Sequence, residues 1–228
     1  IVTGAAGNLG RSLTAGLLTS GARVVAVERR LSRLEEAFGP QASRPDMLYI
    51  AADLTNADDV TRMAEQAIAW GERINILANI AGGFKMGETV YETDLQTWEF
   101  LLNLNAKSVL LTSKAIVPHM LAQGGGKIVN VGARAGLQGA ANMGSYTVSK
   151  AAVIRLTESL AAEVKDKNIN VNCILPGTID TPQNRDAMPN ADFTKWVAPE
   201  HLVSVIFFLA SEASTAVNGA AIPVYGRG

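Results

Sequence analysis

The chain has 228 residues, with 20 Lys and Arg against 21 Asp and Glu, 48% hydrophobic residues and a single cysteine. That length and apolar content suit one α/β domain with a sizeable core, and a second full domain would be cramped. The near-neutral charge, with no long run of like sign, argues against a nucleic-acid or anionic-membrane surface and favours a small-molecule partner.

The longest apolar stretches, such as "VSVIFFLA", fall short of the ~20 residues that span a bilayer, and no leader pattern is visible, so a cytoplasmic, membrane-free protein is expected. The sequence opens on "IVTG" without an initiator methionine, and part of the first strand is expected to precede Ile1. Cys173, in "INVNCIL", has no internal disulfide partner and reads as a buried small hydrophobe.

Short apolar runs near 1–2, 23–28, 47–51, 74–79, 127–131, 170–175 and 221–225 read as strands. Helical patterns fill 9–20, 31–38, 57–70, 94–121, 146–166 and 199–211, and this alternation predicts parallel strands joined by helices. The first junction, "IVTGAAGNLG", passes from strand to helix through Gly4, Gly7 and Gly10, with Asn8 and Leu9 at the helix start. Glycines permit the tight turn and let backbone amides approach a pyrophosphate, while the helix N-terminus supplies free N–H groups.

The second strand ends in Glu28. A carboxylate there accepts hydrogen bonds from an adenosine ribose and repels a 2′-phosphate, which favours NAD(H). Arg29 beside it keeps NADP(H) open, and a pair of solvated strand-end charges is the plain alternative. Asp53, in "IAADL", sits either to meet the adenine amino group or to cap a helix, with Leu54 next to it. Capping-box spacing is present from Thr55 to Asp58 and from Thr93 to Gln96.

Within the long helix, "LLNLNAKSVLLTSKAIV" is apolar on so much of its circumference that it must be covered on more than one side. His119 and His201 lie near helix ends without partners at ligand spacing, so no metal site is expected. "GARAGLQGAANMGSYTVSK" then places Tyr146 and Lys150 one turn apart on a helical face, with Ala133 thirteen residues ahead of the tyrosine. The stretch 176–198 reads as irregular and as a substrate lid, in which Phe193 and Trp196 either close over a flat substrate or anchor the loop.

The glycine loop, Asp53, "NIAGG" at 79–83, Asn105 in "LNLNAKS", "YTVSK", "PGTIDT" at 176–181 and the closing "VNGAAIPVYG" together resemble the short-chain dehydrogenase/reductase family, over essentially the whole chain. The resemblance implies an α/β, single-domain Rossmann fold: a doubly wound parallel sheet of about seven strands with helices on both faces. It implies an NAD(P)-dependent oxidoreductase in which Tyr146 is the general acid or base. Lys150 would hold the nicotinamide ribose and favour the ionised phenol, and Asn105 would complete a proton relay through a backbone-bound water. Further cofactor contacts are implied at Gly4, Gly7, Asn8, Leu9, Gly10, Leu54, Asn79, Ala81 and Gly82. Ile179 and Thr181, following Pro176 and Gly177, match positions that meet the nicotinamide carboxamide. Pairing of the corresponding long helices in the family implies a homodimer or homotetramer.

Three positions depart from the family pattern. The glycine loop runs TGxxGxxG, with Gly7 one place early; Ile80 replaces an asparagine, loosening a hydrogen-bond network; and Ala133 replaces the serine that polarises a substrate oxygen. Losing one such donor typically costs about 10²–10³ in rate. Gln138, Asn142 or Ser145 substitutes for it, or the substrate needs no donor, or the protein binds cofactor without turnover. "AGGF" at 81–84, "GARAGL" at 132–137 and "DTPQNRDAMPNADFTKW" at 180–196 are similar to stretches of dihydropteridine reductases, which also carry alanine at the serine position. That similarity implies, as an alternative, a quinonoid pterin protonated directly by the tyrosine.

Overall fold

The computed structural model describes residues 1–228, the side chain of Ala42 excepted. The β-branched and apolar runs form β1 (Val2–Thr3), β2 (Val24–Glu28), β3 (Met47–Ala51), β4 (Ile76–Asn79), β5 (Gly126–Val131), β6 (Ile169–Pro176) and β7 (Ala221–Val224). They pair in parallel in the order β3-β2-β1-β4-β5-β6-β7. The chain therefore winds outward from β1 in both directions, and a crevice opens beyond the carboxyl ends of β1 and β4, where the winding reverses.

Parallel strands need crossovers, which here are α1 (Asn8–Thr19), α2 (Leu31–Phe38), α3 (Ala57–Gly71), α4 (Leu95–Leu102), α5 (Ser108–Gln123), α6 (Gly144–Val164), α7 (Pro182–Ala187) and α8 (Pro199–Ala210). Successive strand side chains point to opposite faces. Val25 and Val27 meet Met63 of α3 and Ile116 and Met120 of α5 on one face. Val24 and Ala26 meet Leu13 of α1 and Ile206 of α8 on the other. Covering both faces explains why these strands are apolar throughout rather than alternating.

The structure corrects several sequence expectations. Neither capping threonine caps its helix: Asn56 accepts from Asp58 N and Asp59 N at α3, and Asp94 accepts from Thr97 N at α4. Thr55 Oγ1 donates to Asp53 Oδ1 and Thr93 Oγ1 to Thr89 O, because each hydroxyl finds a local acceptor outside the helix. The long helix is interrupted by a π-turn over Asn103–Lys107, which joins α4 to α5 and carries Asn105. The 176–198 stretch is partly ordered, holding α7 and a 3₁₀ turn at Phe193–Lys195. A second irregular stretch, 80–93, precedes α4.

Ile80 does not break the polar network beside the sheet. Asn79 Nδ2 donates to Asn130 Oδ1 at 2.8 Å, Thr112 Oγ1 donates to Asn79 Oδ1 at 2.9 Å, and Asn130 Nδ2 donates to Thr157 Oγ1 at 2.9 Å. Thr3 Oγ1 accepts from both Ile80 N and Ala81 N, at 3.0 and 3.2 Å, so the backbone at the departure is satisfied from β1. Among the described residues, no helix is long and apolar enough to cross a membrane.

Candidate active site

The glycine turn is built by close approach. Gly4 has φ of 62°, and a Cβ there would lie 2.8 Å from Ala81 Cα. A Cβ on Gly10 would lie 2.1 Å from Gly4 O, so α1 rests directly on the turn. At Gly7 a Cβ would meet just Gly4 O, at 3.3 Å, which leaves the outer side of the turn open to a ligand. α1 starts at Asn8 with no side-chain cap and no acidic residue in its first turn. The amides of that turn are thus available to an anion, and the turn fits the pyrophosphate of a dinucleotide. Leu9 and Leu54 are buried in the core, so each can meet a cofactor through its backbone only.

At the end of β2, Glu28 Oε1 accepts from Arg29 N at 3.2 Å, and Arg29 Nη2 lies 3.5 Å from Asp53 Oδ2. Asp53 Oδ1 accepts from Thr55 N at 2.9 Å and from Thr55 Oγ1 at 2.7 Å, and these bonds hold its carboxyl below the usual range. Beyond the glycine turn, Asn8 Nδ2 donates to Gln183 Oε1 at 2.8 Å, joining α1 to α7.

Tyr146 and Lys150 occupy the first turns of α6. Lys150 is buried and donates to Val131 O at 2.9 Å, which fixes its ammonium at the end of β5. Asn105, also buried, accepts from Gly83 N at 2.8 Å and donates to Gly83 O at 3.0 Å and to Ser149 Oγ at 2.9 Å. Ser149 Oγ in turn donates to Tyr146 O at 2.8 Å. A Cβ on Gly82 would lie 2.8 Å from Asn105 Oδ1 and 3.2 Å from Lys150 Nζ, so this loop closes over the two side chains. The structure thereby brings together Gly82, Asn105, Tyr146 and Lys150.

Two members of this cluster escape the sequence. Ser149 lies inside "YTVSK", next to Lys150, and that adjacency was the available signal. Phe84 meets the Tyr146 ring edge-on, with centroids 4.8 Å apart at 90°; no periodicity marks it, because it sits in the irregular 80–93 stretch.

Burial pushes the Tyr146 phenol up to about 12 and the Lys150 ammonium down to about 8. Both shifts come first from desolvation, which disfavours the charged form of each group. Tyr146 is held in its protonated form, the form that donates a proton.

Ala133 is buried at the end of β5, where Gly132 N donates to Ile174 O at 2.9 Å. Of the candidate replacements for a serine, Ser145 is buried immediately before Tyr146, whereas Gln138 and Asn142 are exposed. After β6, Gly177 N donates to Val224 O at 3.1 Å, Ile179 bridges to Val197, and buried Thr181 caps α7 by accepting from Asn184 N at 3.2 Å. Phe193 and Trp196 pack on each other at 4.7 Å, and Arg185 lies 4.8 Å over Phe193. His119 Nε2 is 3.1 Å from Glu72 O, a helix-end contact. Among the described residues, no group of three His, Cys, Asp or Glu side chains is placed to hold a metal ion.

A doubly wound parallel sheet, a glycine turn under an uncapped helix and a half-buried tyrosine one turn from a buried lysine at the strand ends are the features expected of a nicotinamide-dependent oxidoreductase. The short chain dehydrogenase family model matches residues 1–192, and the chain belongs to that family as an NAD(P)-dependent oxidoreductase. It is 36% identical over 237 residues to 2-dehydro-3-deoxy-D-gluconate 5-dehydrogenase of Escherichia coli (strain K12), covering 99% of this chain and 93% of that protein. It is 30% identical over 236 residues to 3-oxoacyl-[acyl-carrier-protein] reductase FabG of Thermotoga maritima, covering 99% and 95%. A short-chain type dehydrogenase/reductase from Mycobacterium ulcerans superposes with a TM-score of 0.91 at 28% identity, over 99% of this chain and 87% of that chain.

Proposed function

We propose that the protein transfers hydride between NAD(H) and the carbonyl or alcohol carbon of a small organic substrate, with Tyr146 passing the proton. The observation that carries this is half-buried Tyr146 one turn from buried Lys150 on α6, with Asn105 tied to the turn through Ser149. When bound, the nicotinamide supplies or accepts the hydride. Tyr146, protonated in this environment, donates to the substrate oxygen in the reducing direction. Lys150, with a value of about 8, is largely charged at neutral pH and offers its remaining N–H donors to ribose hydroxyls. Asn105 holds the 82–83 loop and, through Ser149, the carbonyl of Tyr146.

Glu28 at the ribose end, with Arg29 drawn toward Asp53, supports NAD(H) over NADP(H). NADP(H) remains the second choice because Arg29 is well exposed and free to turn toward a phosphate. Asp53 keeps lone pairs for an adenine amino group, and Asn8, Ala81, Pro176, Gly177, Ile179 and Thr181 line the remaining cofactor path in this proposal. A homodimer or homotetramer is supported by Leu95, Phe100 and Leu110, large apolar side chains left exposed along α4 and α5.

The relatives' names point to a dehydro-deoxy-gluconate and a 3-oxoacyl carrier protein, and neither substrate is assigned to this chain. Ala133, with Phe84 against Tyr146, favours a second reading: a quinonoid dihydropterin acceptor protonated by Tyr146 without a serine. The test of both is loss of NADH absorbance with a panel of activated ketones and quinonoid dihydropterin, for the wild type and Tyr146→Phe. Turnover lowered by about 10²-fold or more in the variant supports the mechanism. Absence of turnover with every acceptor would leave a non-catalytic cofactor binder.

A further inference from the structure

Three loops leave the carboxyl ends of β4, β5 and β6 around the catalytic tyrosine: 80–94, 132–143 and 177–198. They carry four basic side chains, and each is engaged. Lys85 Nζ is 3.2 Å from Glu88 Oε1 and also donates to Thr97 Oγ1. Arg134 lies 5.0 Å over the Tyr225 ring. Arg185 makes paired bonds of 2.6 and 2.7 Å to Asp180, and Lys195 Nζ is 3.6 Å from Asp192 Oδ2. The same loops hold Glu88, Glu92, Asp94, Asp180, Asp186 and Asp192, so six carboxylates face four cations and the rim carries an excess of two negative charges. A substrate carboxylate or phosphate would have to displace an ion pair at Lys85, Arg185 or Lys195, or draw Arg134 off the Tyr225 ring, and would enter against that net charge.

The apolar surface of these loops has the opposite character. Phe84, Met86, Leu137 and Met188, one or more from each loop, stand 42–56% exposed. Large exposed apolar side chains on loops at the same strand ends as a catalytic group are candidates for a ligand surface, and of these four Phe84 touches Tyr146 itself. Phe84 is placed edge-on to the Tyr146 ring, so a flat ring stacked beside it would lie next to the proton donor.

We infer that the acceptor is an uncharged molecule bearing a planar, conjugated ring, seated against Phe84, and that anionic acceptors of the same size are excluded. This rests on the oxidoreductase reading above. In the step, hydride from the reduced nicotinamide adds to the carbonyl carbon, the C=O π electrons pass to oxygen, and the Tyr146 proton completes the alcohol as the nicotinamide is oxidised. Phe84 is a positioning residue, and it exchanges no proton or electron.

The test uses a matched pair that differs in charge alone, ethyl benzoylformate and benzoylformate, together with ethyl pyruvate, which is neutral but has no ring. With NADH, kcat/KM for the aromatic ester should exceed that for the acid by about 10-fold or more, and the gap should narrow at high salt as the rim charges are screened. Phe84→Ala should raise KM for ethyl benzoylformate so that its kcat/KM loss exceeds the loss for ethyl pyruvate by about 10-fold, and Phe84→Tyr should restore it. Equal or faster reduction of benzoylformate would overturn the charge assignment, and equal losses for both esters would overturn the ring assignment. If none of the three is reduced, carbonyl reduction of this acceptor class fails, separately from the charge preference. Calorimetric titration of ester and acid into protein saturated with NAD⁺ then decides the charge preference, and tighter binding of the acid refutes it.

Discussion

Replacing Lys150 by methionine should stabilise the protein at neutral pH while removing its activity. Lys150 is 5% exposed, its one protein acceptor is Val131 O, and burial lowers its ammonium from 10.5 to about 8. For a base whose value falls on folding, the cost of burying the charge is present in full below pH 8. It is relieved as pH rises from 8 toward 10.5, because over that range the unfolded chain binds the extra proton. The drop corresponds to about 3 kcal/mol, and loss of the Val131 hydrogen bond gives back about 1 kcal/mol. Lys150→Met should therefore gain about 2 kcal/mol near pH 7, or about 4–8 °C in Tm for a chain of this size. Urea denaturation of both proteins at pH 6, 7, 8 and 9.5 measures the difference, which should shrink above pH 8. A variant no more stable than wild type at pH 7, or a difference independent of pH, would refute the assignment of Lys150 as a buried charge held at a cost to stability.

Gly82→Ala should damage the site from the opposite side. Its methyl would lie 2.8 Å from Asn105 Oδ1, about 0.6 Å inside the ordinary contact limit of 3.4 Å, so the bond from Gly83 N must stretch. A loss of about 1–3 kcal/mol by denaturant titration and a reduced kcat/KM are expected, and an unaltered variant would show that the loop gives way freely. Glu28→Ala should raise kcat/KM with NADPH relative to NADH by about 10-fold, read from parallel assays with the two cofactors; an unchanged ratio would remove Glu28 from cofactor choice. Light scattering at micromolar concentration should report a dimer or tetramer, and Phe100→Asp on α4 should shift it toward monomer. A wild-type monomer would refute the proposed assembly.

The alternation of apolar runs and helical patterns was enough to place the strands of the sheet, because strands buried on both faces stay apolar from end to end. Boundaries moved by one or two residues where geometry, not pattern, decides them; α6 begins at Gly144, ahead of the tyrosine. The caps at α3 and α4 were missed by one residue, since Thr55 and Thr93 had equally good acceptors in the preceding turns. The π-turn that carries Asn105 interrupts a stretch whose apolar pattern runs on without a break, so no composition signal marks it. The role of Phe84 was invisible for a related reason: an edge-on ring contact between a loop and a helix distant in sequence depends on tertiary geometry alone. The direction of the Tyr146 shift was also hidden, because it comes from burial, which spacing along a helix does not report.

Hydride transfer with Tyr146 as proton donor is tested most directly by comparing wild type with Tyr146→Phe, using NADH and an acceptor that the wild type reduces. kcat/KM should fall by about 10²–10⁴-fold while the Kd for NADH stays within about 2-fold. Retained turnover in the phenylalanine variant, or a loss matched by an equal loss of NADH binding, would contradict the assignment of Tyr146 as the acid.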